Sequence, residues 1–275
     1  MKKMYLISVF LLLTIMTLSL SLPVSAQDKE TKPTELIVFA AASMTESMNK
    51  IAEMYKEVAP NVKIVYNFDS SGTLKTQIQE GADCDIFISA GQKQMNQLDI
   101  DASPEDNTEK LDFVLQDSRF NIVENSPVMI VPIGSTKDIQ SFEDVMTDKV
   151  EMVALGNSDV PVGQYSEEIY TNLGIWDALN AENKISFASN VKEVLAQVEA
   201  AAVDCGVVYS TDASTAKGIK VVAKPPKDSY KEIKYPAAIM NHTANLEAAE
   251  AFVEFLKGPE STKILEENGF IIPEN

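Results

Sequence analysis

The feature of this sequence that most constrains its fold is an unbroken apolar run followed at once by a helical pattern. Residues 36–41 are apolar without alternation, as is typical of a parallel strand covered on both faces. Beyond them, apolar residues recur at spacings of three and four, which predicts a helix with one buried face that ends at Pro60. The residues of that face are Met44, Met48, Ile51, Tyr55 and Val58.

The same order of strand and helix continues along the chain. Residues 62–68 alternate like a strand, 73–80 predict a short helix stopped by Gly81, and 85–88 predict a buried strand. Such an order with short connections favours open α/β sheets with right-handed crossovers. Further strands are predicted at 128–132, 152–155, 185–187, 206–209 and 219–223, and further helices near 142–146, 162–173, 191–201, 246–257 and 261–268.

We predict two α/β lobes, because the pattern repeats and the chain is long enough for two cores. Lobe I is expected to comprise residues 27–125 plus 213–275, and lobe II residues 126–212. The chain would cross between the lobes near Asn125 and return near Asp212.

Residues 1–26 have the features of a secretory signal peptide. Lys2 and Lys3 precede an apolar stretch at 5–22, and residues 24–26 give a small-x-small cleavage site. An uncleaved anchor helix is the alternative, which Pro23 disfavours. No cysteine lies near the junction, so no lipid anchor is expected and the mature chain is predicted to be periplasmic or otherwise extracytoplasmic.

Charge and cysteine content exclude several functions. The formal net charge of −18 disfavours nucleic acid and acidic membrane surfaces as partners. Cys84 and Cys205 could form one disulfide after secretion, but each lies beside a predicted central strand, which favours two buried thiols in separate sheets. His242 is the only histidine and no ligand spacing is present, so neither a metal-cation site nor a cofactor is predicted.

Small polar residues stand where four predicted helices begin. Residues 43–46 resemble a capping box, in which Ser43 would accept from the amide three residues on and Glu46 would reach back. Within residues 69–73, Ser70 and Ser71 offer two hydroxyls, and Gly72 permits close backbone approach. Capping alone and a flexible loop are the respective alternatives.

The other two helix starts lie in the second half of the chain. Pro161 suits the first position of a helix and would leave the amides of Val162 and Gly163 free. Asn190 is expected to cap the fourth helix, with Glu193 completing a second box.

Together the four turns predict an anion site in the cleft between the lobes. Helix N-termini at the carboxyl ends of strands gather unpaired N–H groups at a positive dipole end. None of the turns contains Lys or Arg, and Arg119 is the only arginine, so the donors must be neutral. Neutral donors suit a fully deprotonated oxyanion, whereas a proton-bearing phosphate would need an acceptor.

At these residues the sequence closely resembles the molybdate-binding proteins of bacterial ABC importers, a branch of the type II periplasmic binding proteins. The resemblance covers nearly the whole mature chain and rests on residues 38–45, 71–74, 85–90, 160–165, 207–213 and 235–236. It implies lobes with central mixed sheets, joined by two crossing strands, with the oxyanion in the cleft between them. It also implies a monomer that delivers molybdate or tungstate to a membrane permease.

The resemblance further implies which residues bind the ligand. Ser43 and Ser71 would each give a hydroxyl and an amide, Val162 and Val191 their amides, and Tyr209 its phenol. Many relatives have Ala where Val162 stands. On sequence alone, a Tyr that ends a buried strand is more typical of a core residue, and it is the resemblance that favours a ligand contact for Tyr209. Asp212 is expected to be a cap without chemistry.

Two rival functions are weighed against this prediction. A hydrolase is disfavoured, because the lone His242 lies in a polar stretch and no G-x-S-x-G motif is present. A binding protein for sulfate or a small organic anion stays open, because sequence does not fix the size of the donor cage.

Overall fold

The computed structural model describes residues 33–273. The predicted signal peptide lies outside the described residues. Among residues 33–273, no helix is both long enough and apolar enough to cross a membrane.

The described chain alternates strands and helices as predicted. The strands are β1 (Thr34–Ala41), β2 (Val62–Asp69), β3 (Ile86–Ile88), β4 (Phe120–Asn125), β5 (Pro127–Pro132), β6 (Val153–Gly156), β7 (Ile185–Ala188), β8 (Cys205–Tyr209), β9 (Ile219–Ala223) and β10 (Ile233–Ile239). The helices are α1 (Thr45–Val58), α2 (Ser71–Gln79), α3 (Gln92–Asn96), α4 (Pro161–Asn172), α5 (Trp176–Ala181), α6 (Val191–Glu199), α7 (Ser210–Thr215), α8 (Leu246–Lys257) and α9 (Pro259–Glu267). Short 3-10 turns cover Ala42–Met44 and Phe142–Met146.

The strands form two five-stranded mixed sheets with the same plan. The first sheet has the order β2-β1-β3-β10-β4, and the second has the order β7-β6-β8-β5-β9. In each sheet the first three strands are parallel, and the remaining two pair antiparallel. The predicted fold class, two α/β lobes built on mixed sheets, is confirmed.

The chain passes twice between the sheets. It passes once through Ser126, between β4 and β5, and once through residues 224–232, between β9 and β10. We therefore use lobe I for residues 33–125 and 233–273, and lobe II for residues 127–223. The return near Asp212 was predicted too early, because Ile219–Ala223 pairs with β5 and belongs to the second sheet.

The predicted apolar face of α1 is buried except at the end of the helix, and two strands of the first sheet lack a clear sequence pattern. Met48, Ile51 and Tyr55 of α1 are almost fully buried, as predicted, whereas Val58, the last residue of the helix, is 63% exposed. Strands β4 and β10 were not predicted, and Pro236 interrupts the pattern of β10 at a register shift.

The two cysteines lie where buried thiols were predicted. Cys205 belongs to β8 of the second sheet and Cys84 precedes β3 of the first, and both are buried and free. Burial raises the pKa of the Cys205 thiol to about 12, so this side chain behaves as a small apolar residue of the core.

Candidate anion-binding site

The five residues predicted to bind the ligand surround one small cavity between the lobes. Ser43 and Ser71 come from lobe I, and Val162, Val191 and Tyr209 come from lobe II. None of them is more than 4% exposed. About 210 Å³ of space lies between the wall atoms of the cavity, part of it open to solvent. A guest in this cavity would therefore contact both lobes at once. A larger open groove along α3 and α4 is lined by none of the five residues.

Ser43 lies in the 3-10 turn that separates β1 from α1, and the predicted capping box is wrong. Helix α1 begins at Thr45 without a side-chain cap. The Ser43 hydroxyl instead shares a 2.9 Å hydrogen bond with the Tyr235 hydroxyl, and the Glu46 carboxylate accepts from Lys192. The extra turn rotates Ser43 away from the amides of α1 and places it on the cavity wall.

Ser71 begins α2 and keeps its hydroxyl proton available. Ser70 caps the helix, because its Oγ accepts from the Thr73 N–H at 3.1 Å. The Ser71 Oγ accepts from the Ala90 N–H at 2.8 Å. Since a hydroxyl that accepts one bond still has its own proton, Ser71 can donate to a guest. Its N–H, the first of the helix, has no carbonyl partner within the helix.

Asp69 also lines the cavity and was not predicted as a site residue. Its Oδ1 accepts from the Ser70 N–H at 2.7 Å and from the Asn190 Nδ2 at 3.2 Å. The second bond runs from lobe II to lobe I. Asp69 therefore contributes to the contact between the lobes beside the cavity.

Helix α4 presents one free amide rather than the two predicted. Pro161 is its first residue, and no side chain caps the helix. The Gly163 N–H donates to the Val160 carbonyl at 2.9 Å, which removes it from the site. The Val162 N–H lies in the first turn and has no intrahelical acceptor.

Helix α6 is capped as predicted, with one difference. Asn190 Oδ1 accepts from the Glu193 N–H at 3.0 Å. The Glu193 carboxylate accepts from the N–H and hydroxyl of Ser189, at 2.6 and 2.8 Å, so the box closes on Ser189 rather than on Asn190. These bonds lower the pKa of Glu193 and keep it ionised. The Val191 N–H, the first of α6, stays available at the positive end of the helix dipole.

Tyr209 ends β8 with its hydroxyl buried against the cavity. The side chain is 1% exposed, and its hydroxyl makes no hydrogen bond of ordinary geometry among the described residues, although the Tyr235 hydroxyl lies close enough to contribute to raising its pKa. Burial raises the pKa of the phenol well above its ordinary value, so Tyr209 is a neutral donor. A buried hydroxyl without a partner carries a desolvation cost that a bound acceptor would relieve.

One lysine next to the cavity pairs with two carboxylates. Lys192, which follows Val191, contacts Glu46 of lobe I at 2.9 Å and Asp212 of lobe II at 3.0 Å. Asp212 was predicted as a cap, but it is fully buried within α7 and pairs with this lysine. Burial raises the pKa of Asp212 to about 6, against the opposing effect of Lys192.

The arrangement offers donors but no catalytic group. His242 packs edge-on against Phe113 and does not line the cavity. Among residues 33–273, no group of His, Cys, Asp and Glu side chains is arranged to hold a metal ion. Hydroxyls and helix-terminal amides instead converge from both lobes, which is an arrangement that can solvate an anion without a counter-charge.

Comparison with known proteins agrees with this geometry. Residues 36–271 match the model of a family described as bacterial extracellular solute-binding proteins. The molybdate-binding protein ModA of Escherichia coli is 36% identical over 244 residues, covering 86% of this chain and 89% of that protein. A Bacillus subtilis protein, provisionally named an ABC transporter substrate-binding lipoprotein, is 34% identical over 249 residues, covering 90% and 89%.

A solved structure extends the agreement to three dimensions. The periplasmic molybdate-binding protein of Azotobacter vinelandii superposes with a TM-score of 0.75 at 25% identity, covering 87% of this chain and all of that one. These relatives are binding proteins, which confirms the expectation of a binding protein rather than an enzyme. With the family model matched along nearly the whole described chain, this protein belongs to the bacterial extracellular solute-binding proteins.

Proposed function

We propose that this protein captures molybdate, or tungstate, outside the cytoplasm and delivers it to the permease of an ABC importer. The observation that carries the proposal is the convergence of five neutral donor residues, Ser43, Ser71, Val162, Val191 and Tyr209, on one buried cavity. The names of the E. coli and A. vinelandii relatives supply the ligand class.

The chemistry of the donors favours a doubly charged tetrahedral oxyanion. The hydroxyls of Ser43, Ser71 and Tyr209 and the amides at the starts of three helices are hydrogen-bond donors of residues that line the cavity. A dianion that carries only acceptors can satisfy each of them, and hydrogen bonds to a charged group contribute about 1.5–3 kcal/mol each. The long-range field of a chain with net charge −18 opposes an anion, so these short-range bonds must carry the affinity.

Binding is proposed to hold the lobes together. Asp69 and Asn190 already form a hydrogen bond between the lobes, as do Glu46 and Lys192. An anion that bonds to residues of both lobes favours this arrangement over an open one, because only the closed form offers all five donors at once. The closed form would then be the one that the permease recognises.

The mature protein is proposed to start at Gln27, to carry no lipid and to be a monomer. Intact-mass measurement of the secreted protein checks the first two points, and light scattering during gel filtration checks the third. A mass increased by a lipid, or a dimer, would contradict the respective statement.

The test of the proposed function is a thermal-shift panel followed by calorimetry. Molybdate and tungstate are expected to raise the melting temperature, since a ligand that binds only the native state stabilises it. Sulfate, phosphate and citrate serve as controls for size, for a bound proton and for shape. A larger shift with sulfate or citrate than with molybdate would contradict the proposed ligand.

A further inference from the structure

The Ser43 hydroxyl is the end of a hydrogen-bonded chain that starts where the polypeptide crosses between the lobes. The Tyr235 hydroxyl of β10 lies 2.9 Å from the Ser43 Oγ, and the Asn125 Nδ2 lies 3.2 Å from the same Tyr235 oxygen. Asn125 is the last residue of β4, directly before the crossing. Asn125 and Tyr235 are buried, and neither lines the cavity itself.

The direction of the first bond in this chain follows from the backbone. The Ser126 N–H donates to the Asn125 Oδ1 at 2.9 Å, and a backbone N–H can only donate. The side-chain oxygen of Asn125 must therefore face Ser126. Its nitrogen then faces Thr211, at 2.9 Å, and Tyr235, so the amide donates to the Tyr235 oxygen.

The direction of the second bond follows from the first. The phenol of Tyr235 keeps its proton, because burial raises its pKa far above the ordinary value. Its oxygen already accepts from Asn125, and the acceptor within reach of its proton is the Ser43 Oγ. Tyr235 therefore donates to Ser43. The Ser43 oxygen is occupied as an acceptor, and its own proton is left for the cavity.

We infer that Tyr235, oriented by Asn125, fixes the Ser43 hydroxyl as a donor, so that the Ser43 side of the cavity favours an anion oxygen that carries no proton. The inference rests on the proposed function and adds two positioning residues to it. An anion that carries a proton, such as hydrogen arsenate, needs an acceptor on the wall. Ser43 is a poor acceptor for that proton, because one of its two lone pairs already receives the Tyr235 proton and its own proton is left for the guest. The Asp69 carboxylate is a separate acceptor on the wall.

The primary test is Tyr235→Phe, measured by molybdate calorimetry. Without the phenol, the Ser43 hydroxyl loses its fixed direction, and the affinity is expected to fall about tenfold. In the Ser43→Ala background the same change is expected to have no effect on affinity, because Tyr235 then has no hydroxyl to orient. Tyr66→Phe is the matched control: it removes another phenol proton, bonded to the Met48 carbonyl at 2.9 Å, and should leave binding unchanged.

A second variant, Asn125→Asp, tests the direction of the chain. A carboxylate would accept the Tyr235 proton, which leaves the Tyr235 oxygen to accept from Ser43 and turns the Ser43 proton away from the cavity. The variant also adds a negative charge, so its effect is measured again in the Ser43→Ala background, where only the charge effect remains. The loss is expected to be clearly larger when Ser43 is present.

Competition experiments test the selectivity. Selenate and hydrogen arsenate are both tetrahedral dianions at mildly alkaline pH, but only the second carries a proton. In the wild type, selenate is expected to compete with molybdate better than hydrogen arsenate does. Tyr235→Phe is expected to reduce this difference. Equal losses from Tyr235→Phe with and without Ser43, or an unchanged preference, would overturn the inference alone. A wild-type protein that binds no molybdate would overturn the proposed function and, with it, this inference.

Discussion

The ammonium of Lys192 lies 2.9 Å from both carboxylate oxygens of Glu46 and so connects the two lobes. Lys192 follows Val191 at the start of α6 in lobe II, and Glu46 lies in the first turn of α1, three residues after Ser43 in lobe I. The same ammonium contacts Asp212, three residues after Tyr209. One lysine therefore links three of the segments that carry the proposed binding residues.

Removal of this lysine is expected to weaken both binding and folding. Lys192→Met breaks the bond between the lobes and leaves Asp212 buried without its partner, so a loss of several-fold in molybdate affinity and a lower melting temperature are expected. Calorimetry and thermal unfolding measure the two effects. Lys192→Arg keeps the charge and should restore most of both.

Glu46→Gln distinguishes a bond between the lobes from simple electrostatics. If the ion pair holds the lobes together, its loss should weaken binding by up to roughly fivefold, since a partly exposed pair contributes about 0.2–1 kcal/mol. If only the field at the anion matters, removal of a negative charge should strengthen binding. Tighter binding by the variant would therefore contradict the role of the pair in closure.

The buried Asp212 predicts an unusual pH dependence of stability. Its folded-state pKa of about 6 lies above the ordinary 3.8, so between these values the folded state binds more protons than the unfolded state. This group's contribution to the free energy of unfolding should therefore decrease as pH rises from about 4 to 6 and stay constant above, by at most about 1.4 kcal/mol per pH unit. Chemical denaturation of wild type and Asp212→Asn across this window isolates the effect. Parallel stability profiles for the two proteins would show that Asp212 titrates normally.

Two hydroxyl deletions should separate binding from stability. Tyr209→Phe removes a buried hydroxyl that has no partner among the described residues, so the ligand-free variant should unfold at or above the wild-type temperature while binding falls by about 1.5–3 kcal/mol. Ser71→Ala should lose a similar amount of binding but also stability, because the buried Ala90 N–H loses its acceptor. Ser43→Ala is expected to show the same binding loss. Wild-type affinities in all three would refute the site.

Close backbone packing makes Gly163 sensitive to a single methyl group. A Cβ there would lie 2.3 Å from the Gly156 carbonyl oxygen and 2.5 Å from that of Asn157, so the start of α4 must shift. Gly163→Ala is expected to cost about 1–3 kcal/mol of folding free energy and to weaken molybdate binding by moving the Val162 amide. Val162→Ala is the matched control, because its proposed contact is a backbone group. Loss of binding in the control with an intact fold would disprove the amide contact.

The regular part of the fold could be predicted from local patterns. Buried strands such as β1 and helices such as α6 have apolar periodicities and caps that depend on residues close in sequence. Strands β4 and β10 could not, because each pairs with a partner far along the chain and Pro236 breaks the local pattern of β10. The sheet to which β9 belongs could not be predicted either, because it is set by pairing with the distant strand β5.

The sequence by itself determined the alternation of strands and helices, the four helix starts and, through resemblance, the five residues that surround the cavity. Those properties depend on backbone periodicity and on side chains within a few positions of each other. Only the tertiary structure decided that Ser43 faces Tyr235 rather than the start of α1, and that Lys192 joins Glu46 to Asp212. The Ser43–Tyr235 and Glu46–Lys192 contacts join residues more than a hundred positions apart, so they depend on the tertiary arrangement and not on the local pattern.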